Sequence, residues 1–232
     1  MNFDLLKSEL EGELFTDETT RKLYATDASA YREVPRAVAI PRTDEDLVKL
    51  IRFAASHKTS IIPRTAGTSL AGQVVGAGIV VDVSKHFNRI LEVNTNERWA
   101  KVQPGIVRDD LNHYLKPLGY FFAPETSTAN RAMIGGMIGN NSCGSNSVIY
   151  GSTREHLLEV DVLLADGRKA WFGPLTKDDF FRRIEHERSL EDSIYRHIYR
   201  TLSDPRNIAA IEAGFPKHSI HRRNTGYAID ML

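Results

Sequence analysis

Two short stretches concentrate the residue types that hold a polar ligand. The first is Pro63-Arg64-Thr65-Ala66-Gly67-Thr68-Ser69-Leu70-Ala71-Gly72-Gln73, with two glycines, two threonines and a serine around one formal charge, Arg64. Glycine lets a ligand approach the backbone closely. Consecutive backbone N–H groups form an anion-binding nest, and the hydroxyls add donors. That inventory suits a phosphate or pyrophosphate, although a tight surface turn uses the same residues. The second stretch, Gly135-Gly136-Met137-Ile138-Gly139-Asn140-Asn141-Ser142-Cys143-Gly144-Ser145-Asn146-Ser147, holds four glycines, three asparagines and three serines in 13 positions. So little bulk with so many donors does not make a core. It is either a flexible loop or a backbone wrapped against a polar ligand. Two such stretches about 70 residues apart, each beside strands, point to one large ligand clamped between two subdomains.

Other nucleotide schemes do not fit. Gly76-Ala77-Gly78 has the first two glycines of a dinucleotide fingerprint but no third, and a strand follows it where a helix is required. No lysine follows either stretch, so the phosphate loop of nucleotide triphosphatases is absent. His218 and His221 stand three apart beside Arg222 and Arg223 without a third metal ligand, which reads as a solvated basic stretch. His113, inside a helix, and His156, at a strand start, are expected to face solvent or a neighbour. Cys143 is the single cysteine, which excludes an intramolecular disulfide and an iron–sulfur cluster held by this chain alone. Without a second thiol to resolve it, Cys143 reads as a small residue tolerated near the ligand.

Bulk properties add exclusions. The 232 residues are 41% hydrophobic and 26% charged, with 30 basic and 30 acidic side chains. A net charge of zero gives no overall basic surplus for nucleic acid or an anionic membrane. The opening Met1-Asn2-Phe3-Asp4-Leu5-Leu6-Lys7 lacks the features of a signal peptide. No apolar run approaches the roughly 20 residues of a membrane span. A cytoplasmic protein with no nucleic-acid partner is expected.

Elements must bring the two stretches together. Residues 1–34 are polar and mixed, and are expected to form a helical lead-in. Val38-Ala39-Ile40, ended by Pro41, suits a strand. Thr43 before Asp44, Glu45 and Asp46 is an N-cap with acidic residues in the first helical turn. Leu47, Leu50, Ile51, Ala54 and Ala55 follow at helical spacing. Ser60-Ile61-Ile62, the first glycine stretch and Gly78-Ile79-Val80-Val81-Asp82 complete a small parallel unit over about residues 36–84. Near Arg89 the spacing changes. Residues 89–93 and 99–102 flank the turn-like Asn94-Thr95-Asn96-Glu97, an antiparallel hairpin. Ile106, Val107, Leu111, Tyr114 and Leu115 describe a helix closed by Pro117 and Gly119. Residues 156–164 and 169–172 around Asp166-Gly167 read as a second hairpin. The tail from Leu175 is helical, with Leu190, Ile194, Ile198 and Leu202 every four residues.

Taken together, these residues resemble a known family. The first stretch is similar to the pyrophosphate loop of the FAD-linked oxidase family of the vanillyl-alcohol oxidase, or PCMH, type. Pro124-Glu125-Thr126-Ser127, residues 135–144 and Tyr150-Gly151 resemble its second FAD stretch. Leu164-Ala165-Asp166-Gly167 matches its hairpin, and Arg222-Arg223-Asn224-Thr225-Gly226-Tyr227 its linker toward a substrate domain. The likeness runs from about Leu23 to the end. It is nearest to the branch that holds the FAD-binding chain of glycolate oxidase, D-lactate dehydrogenase and D-2-hydroxyglutarate dehydrogenase, particularly members fused to an iron–sulfur domain.

The resemblance implies an α+β, two-subdomain PCMH-type FAD-binding fold. A lead-in over residues 1–34 precedes the FAD-binding domain at 35–203. That domain comprises the parallel unit at about 36–84, a mixed and mostly antiparallel sheet with helices at about 87–173, and a helical tail. Residues 204–232 are a linker toward a substrate domain that this sequence does not contain, and the apolar end at Leu232 reads as an interrupted chain. Implied FAD contacts are Pro63, Arg64, Thr65, Ala66, Gly67, Thr68, Ser69, Leu70 and Gln73, then Pro124, Glu125 and Thr126. Gly135, Gly136, Gly139, Asn140, Asn141, Cys143, Gly144, Tyr150 and Gly151 follow, with Val160 in the second hairpin. Arg64 offsets pyrophosphate charge; Glu125 either bonds a flavin group or caps a turn. No histidine lies between Pro63 and Gln73, so the FAD is expected to be noncovalent. The implied reaction oxidises a D-2-hydroxy acid to the 2-oxo acid by hydride transfer to FAD. No catalytic residue and no metal ligand is assigned in this chain: the base, the carboxylate-binding groups and the family's metal-binding histidines have no counterpart before Leu232. An iron–sulfur domain or another electron-transfer partner is implied. Two alternatives stay open: a same-fold flavoenzyme for another substrate, and a non-catalytic FAD-binding or electron-transfer protein.

Overall fold

Ala37–Ile40 (β2) is a continuous apolar run and Ile79–Asp82 (β4) is apolar up to Val81, as strands covered on both faces must be. In the computed structural model, which describes residues 1–185, 188–217, 219–220 and 227–232, they pair in parallel, Val38 opposite Val80. Ile61–Arg64 (β3) joins β4 in parallel on its other side, Ile62 opposite Val80. The helix between β2 and β3, Asp44–Ser56 (α3), starts where the sequence predicts: the Thr43 hydroxyl accepts the Asp46 N–H at 3.2 Å. Leu50 and Ala54 pack inward from α3, while Ala55 faces solvent.

The lead-in is more than helical. Phe3–Glu9 (α1) and Glu18–Leu23 (α2) flank a short strand, Glu13–Phe15 (β1), which pairs antiparallel with β2 and gives the sheet order β1-β2-β4-β3. Leu14 then belongs to one core with Leu6, Ala37, Ala39, Leu50, Ile79 and Val81. The only apolar members of β1 are Leu14 and Phe15, too few for local periodicity to reveal a strand.

A second core lies in the same unit, Met1–His156. The hairpin Ile90–Asn94 (β5) and Trp99–Val102 (β6) supplies Ile90, Val93 and Val102. Arg108–Leu115 (α4) adds Leu111 and Leu115, and Ile134–Asn140 (α5) adds Ile134 and Met137. Tyr114 is not part of this face; it is 54% exposed, because Leu111 and Leu115 aim the helix and Tyr114 falls on its flank. His113 also faces solvent. A short helix, Ser147–Tyr150 (α6), and a 3₁₀ turn, Thr153–His156, close the unit, so His156 sits in a turn and not at a strand start.

The second unit, Leu157–Leu232, carries the hairpin Val160–Leu163 (β7) and Lys169–Phe172 (β8), with the Gly167 N–H on Leu164 O at 2.8 Å. Helices Lys177–Glu185 (α7), Leu190–Leu202 (α8) and Pro205–Gly214 (α9) follow. Phe172 and Phe180 both pack on Tyr195, with ring centres 5.6 and 5.9 Å away. Within each unit the hairpin ladder is antiparallel: β5 pairs with β6, Val93 opposite Ala100, and β7 pairs with β8, Val162 opposite Ala170. His218, His221 and the stretch Arg222-Arg223-Asn224-Thr225-Gly226 lie outside the described residues.

Candidate functional site

Parallel strands cannot be joined by a tight turn; the chain must cross over. Between β3 and β4 that crossover is residues 65–78, so the first glycine stretch leaves the carboxyl end of β3, where ligands of parallel sheets bind. Gly67 turns the chain with φ +67°, a conformation unfavourable for residues with a side chain. A Cβ at Gly67 would stand 2.4 Å from Arg64 Nη2 and 2.8 Å from its Cζ, so the guanidinium lies flat against this turn. The Ser69 hydroxyl accepts the N–H groups of Ala71 at 3.3 Å and Gln73 at 3.4 Å, and donates to Gln73 Oε1. Among the described residues no protein acceptor takes the backbone N–H groups of residues 65–70. Leu70 is 81% exposed beside them.

The second stretch is held against the first. A Cβ on Gly136, in the opening turn of α5, would lie 2.7 Å from Thr65 Oγ1. At the other end of α5, Gln73 Nε2 donates to Asn140 Oδ1 at 2.8 Å. Met137, 2% exposed, anchors α5 in the second core from its opposite face. Around Gly139 a Cβ would meet nothing within 4 Å, which leaves that part of α5 open. The two stretches thus meet at both ends of one short helix.

Beyond α5 the backbone is fixed by side chains. Asn141, left-handed at φ +48°, accepts the Ser152 hydroxyl and the Arg154 N–H, each at 2.9 Å. Glu155 accepts the Ser152 N–H at 2.5 Å and its hydroxyl at 2.6 Å. Burial raises the pKa of Glu155, but the Ser152 bonds outweigh it and hold the carboxyl below its ordinary range. Glu125 caps a turn: its Oε1 accepts the Ser145 hydroxyl at 2.7 Å and the Asn146 N–H at 3.2 Å. The Ser145 bond is the main reason its pKa is lowered. The Tyr150 carbonyl accepts His156 Nε2 at 2.8 Å, and the Tyr150 ring meets Phe121 edge-on at 5.6 Å.

The expected contact residues therefore divide. Thr65, Ala66, Gly67, Thr68, Ser69, Leu70, Gln73, Gly136, Gly139 and Asn140 are brought into one neighbourhood. Pro124 is enclosed, its carbonyl accepting Arg108 Nε at 3.0 Å. Gly135 packs on Pro104, and Gly144 on Glu125. Val160 lies on β7 in the second unit. Local reading missed Tyr24, Tyr31 and Asp82, which carry no motif. The Tyr24 hydroxyl donates to Asp82 Oδ2 at 2.8 Å, and a Cβ on Gly72 would meet the Tyr31 ring at 2.8 Å.

A sequence-family profile described as FAD binding domain matches residues 35–173. D-2-hydroxyglutarate dehydrogenase of Escherichia coli (strain K12) is 39% identical over 227 residues, 94% of this chain and 22% of that protein. Glycolate oxidase subunit GlcD of Bacillus subtilis (strain 168) is 34% identical over 158 residues, 67% of this chain and 34% of that protein. The chain thus spans about a fifth of the length of the first of these relatives. Among solved structures, 6-hydroxy-D-nicotine oxidase from Arthrobacter nicotinovorans superposes with a TM-score of 0.62 at 20% identity, over 71% of this chain and 36% of that one. At that identity the likeness is one of fold, the PCMH-type FAD-binding fold.

Proposed function

The chain belongs to the FAD-binding-domain family, and on that premise we propose that it is the FAD-holding part of a dehydrogenase for a D-2-hydroxy acid. The observation that carries the cofactor half of this reading is the row of open N–H groups at residues 65–70, clasped to α5 at Thr65–Gly136 and Gln73–Asn140. These residues fit FAD. Consecutive backbone donors without a protein acceptor, with neighbouring hydroxyls, suit a pyrophosphate, and the open flank at Gly139 leaves room for the parts of the molecule attached to it. Thr65 and Thr68 add hydroxyls to the donor set. FAD, when bound, supplies the two-electron acceptor, while the chain's own residues bind and orient it.

The substrate half rests on the 39% identity to a D-2-hydroxyglutarate dehydrogenase over nearly the whole chain. The substrate class is accordingly D-2-hydroxyglutarate, D-lactate or glycolate, oxidised to the 2-oxo acid, with D-2-hydroxyglutarate first to be tried. We place no catalytic residue in this chain. FAD is held noncovalently, electrons pass to an iron–sulfur domain or another electron-transfer partner, and the protein works in the cytoplasm. Among the described residues no helix is long and apolar enough to cross a membrane.

The test is dye reduction by the protein as its gene encodes it, loaded with FAD, with each of the three hydroxy acids and with L-2-hydroxyglutarate as control. Reduction with a D-2-hydroxy acid or glycolate, and none with the L-enantiomer, is expected. FAD binding without dye reduction by any of the three would refute the substrate class and leave the cofactor assignment standing.

A further inference from the structure

Arg64 does not reach outward from the loop it opens. Its Nη1 donates to the carbonyls of Thr26 at 2.9 Å and Tyr24 at 3.4 Å, and its Cζ stands 5.2 Å from the centre of the Tyr24 ring. The Gly67 turn lies so close to the guanidinium that no Cβ fits between them. Tyr24 is itself fixed, since its hydroxyl donates to Asp82 Oδ2 at 2.8 Å while Asp82 Oδ1 accepts the Ser84 N–H at 2.8 Å. Asp82 is 7% exposed and sits opposite Arg64 in the β3–β4 register. Both hydrogen bonds of Arg64 go to carbonyl oxygens, so its charge is not spent on a directly hydrogen-bonded carboxylate among the described residues. Tyr24 and Thr26 precede residue 35, where the match to the FAD-binding family begins.

We propose that Arg64 is a positioning residue for the cofactor. Anchored by Tyr24 and Thr26, it supports the Gly67 turn from behind, aims the N–H groups of residues 65–70, and presents a fixed positive charge beneath them. The lead-in is thereby a working part of the binding loop. This rests on the reading that the loop receives FAD. Two physical effects combine. A loop already ordered before binding saves the cost of ordering it in the complex. A cation fixed behind a thin backbone layer attracts an anion on the far side, because little water intervenes to screen it. Arginine suits the place because its planar head can stack on the Tyr24 ring while its N–H groups reach carbonyls.

The experiment is FAD titration of the flavin-depleted, gene-encoded protein, followed by fluorescence at low and at physiological salt. It compares the unaltered protein with Arg64→Met, Arg64→Lys and Tyr24→Phe, and records thermal unfolding of each without FAD. Arg64→Met should weaken FAD binding at least about tenfold at low salt and flatten its salt dependence, the loss of one nearby charge being of that order. Arg64→Lys keeps the charge and should recover part of the affinity and the salt dependence. Tyr24→Phe keeps the ring and should lose about threefold, the scale of one hydrogen bond. Unchanged affinity and salt response in Arg64→Met overturn the inference. So does a loss in Arg64→Lys as large as in Arg64→Met, which marks a purely structural role. If Arg64→Met does not fold, unaltered affinity in both other variants overturns it. Failure of the unaltered protein to bind FAD overturns the functional reading itself, and this inference with it.

Discussion

Replacing Asp46 by alanine should destabilise the first unit more than any other single change at a charged residue in α3. Asp46 is 0% exposed, yet its carboxylate is fully used: Oδ1 accepts the Glu11 N–H at 2.9 Å, and Oδ2 accepts those of Gly12 and Arg42, each at 2.9 Å. It ties the turn before β1 to the entry of α3, and so holds the lead-in on the sheet. A hydrogen bond to a charged group is worth about 1.5–3 kcal/mol, and a stranded buried donor costs about 1–3 kcal/mol. Three such bonds, offset by the relief of no longer burying the charge, leave a loss of about 3–5 kcal/mol for Asp46→Ala, near the range for breaking a buried charged contact. At roughly 2–4 °C per kcal/mol for a chain of this size, the melting temperature should fall by about 10 °C. Urea unfolding followed by Trp99 fluorescence in a Trp171→Phe background reads this unit alone. The pH dependence gives a second check. Burial raises the Asp46 pKa, but the N–H groups of Arg42, Glu11 and Gly12 more than compensate, so the folded value lies below the ordinary one. A lowered carboxylate pKa contributes stability above the unfolded value near 4, lost as pH falls through the folded value. The gap between unaltered protein and Asp46→Asn should therefore narrow below about pH 4. A loss under about 1 kcal/mol for Asp46→Ala, or a gap that stays constant down to about pH 2, refutes the reasoning.

Three further outcomes are expected. Gly67→Val should abolish FAD binding, because the new Cβ meets the Arg64 guanidinium in a conformation that favours glycine, and normal flavin content in the purified variant argues against the loop's assignment. Gln73→Ala and Asn140→Ala should each weaken FAD about two- to tenfold, the range of one hydrogen bond, and a double-mutant cycle should show them coupled; full additivity would mean the clasp does not hold the site. Acid denaturation should release all flavin into the supernatant, since residues 63–73 contain no histidine, and yellow precipitated protein would contradict noncovalent binding.

What the sequence determined by itself is the set of features decided within a few residues of chain. The apolar runs at β2 and β4, the Thr43 cap, the spacing of Leu50 and Ala54 and the Asp166-Gly167 turn all appear where local patterns place them. The cap, the helix and the turn close their hydrogen bonds between neighbours, and the strands announce themselves by unbroken apolar runs, so residue type and spacing suffice to place them. Composition singled out the two glycine stretches as candidate ligand-binding backbone, but it did not foresee that the second one opens as helix α5 with Met137 in the second core. Which partner each polar side chain takes follows from contacts between distant segments. Asp46 looked like an acidic residue at a helix N-terminus and is a buried acceptor for residues 34 and 35 positions earlier. Arg64 looked like a phosphate ligand and is turned toward Thr26, 38 positions away. Glu125 was equally readable as ligand or cap, and packing assigns it to Ser145 and Asn146. A buried or crowded polar group must find a partner wherever the fold brings one, because leaving it unpaired costs as much as the bond is worth. That choice depends on which distant segments the two hydrophobic cores press together, and no local period records it.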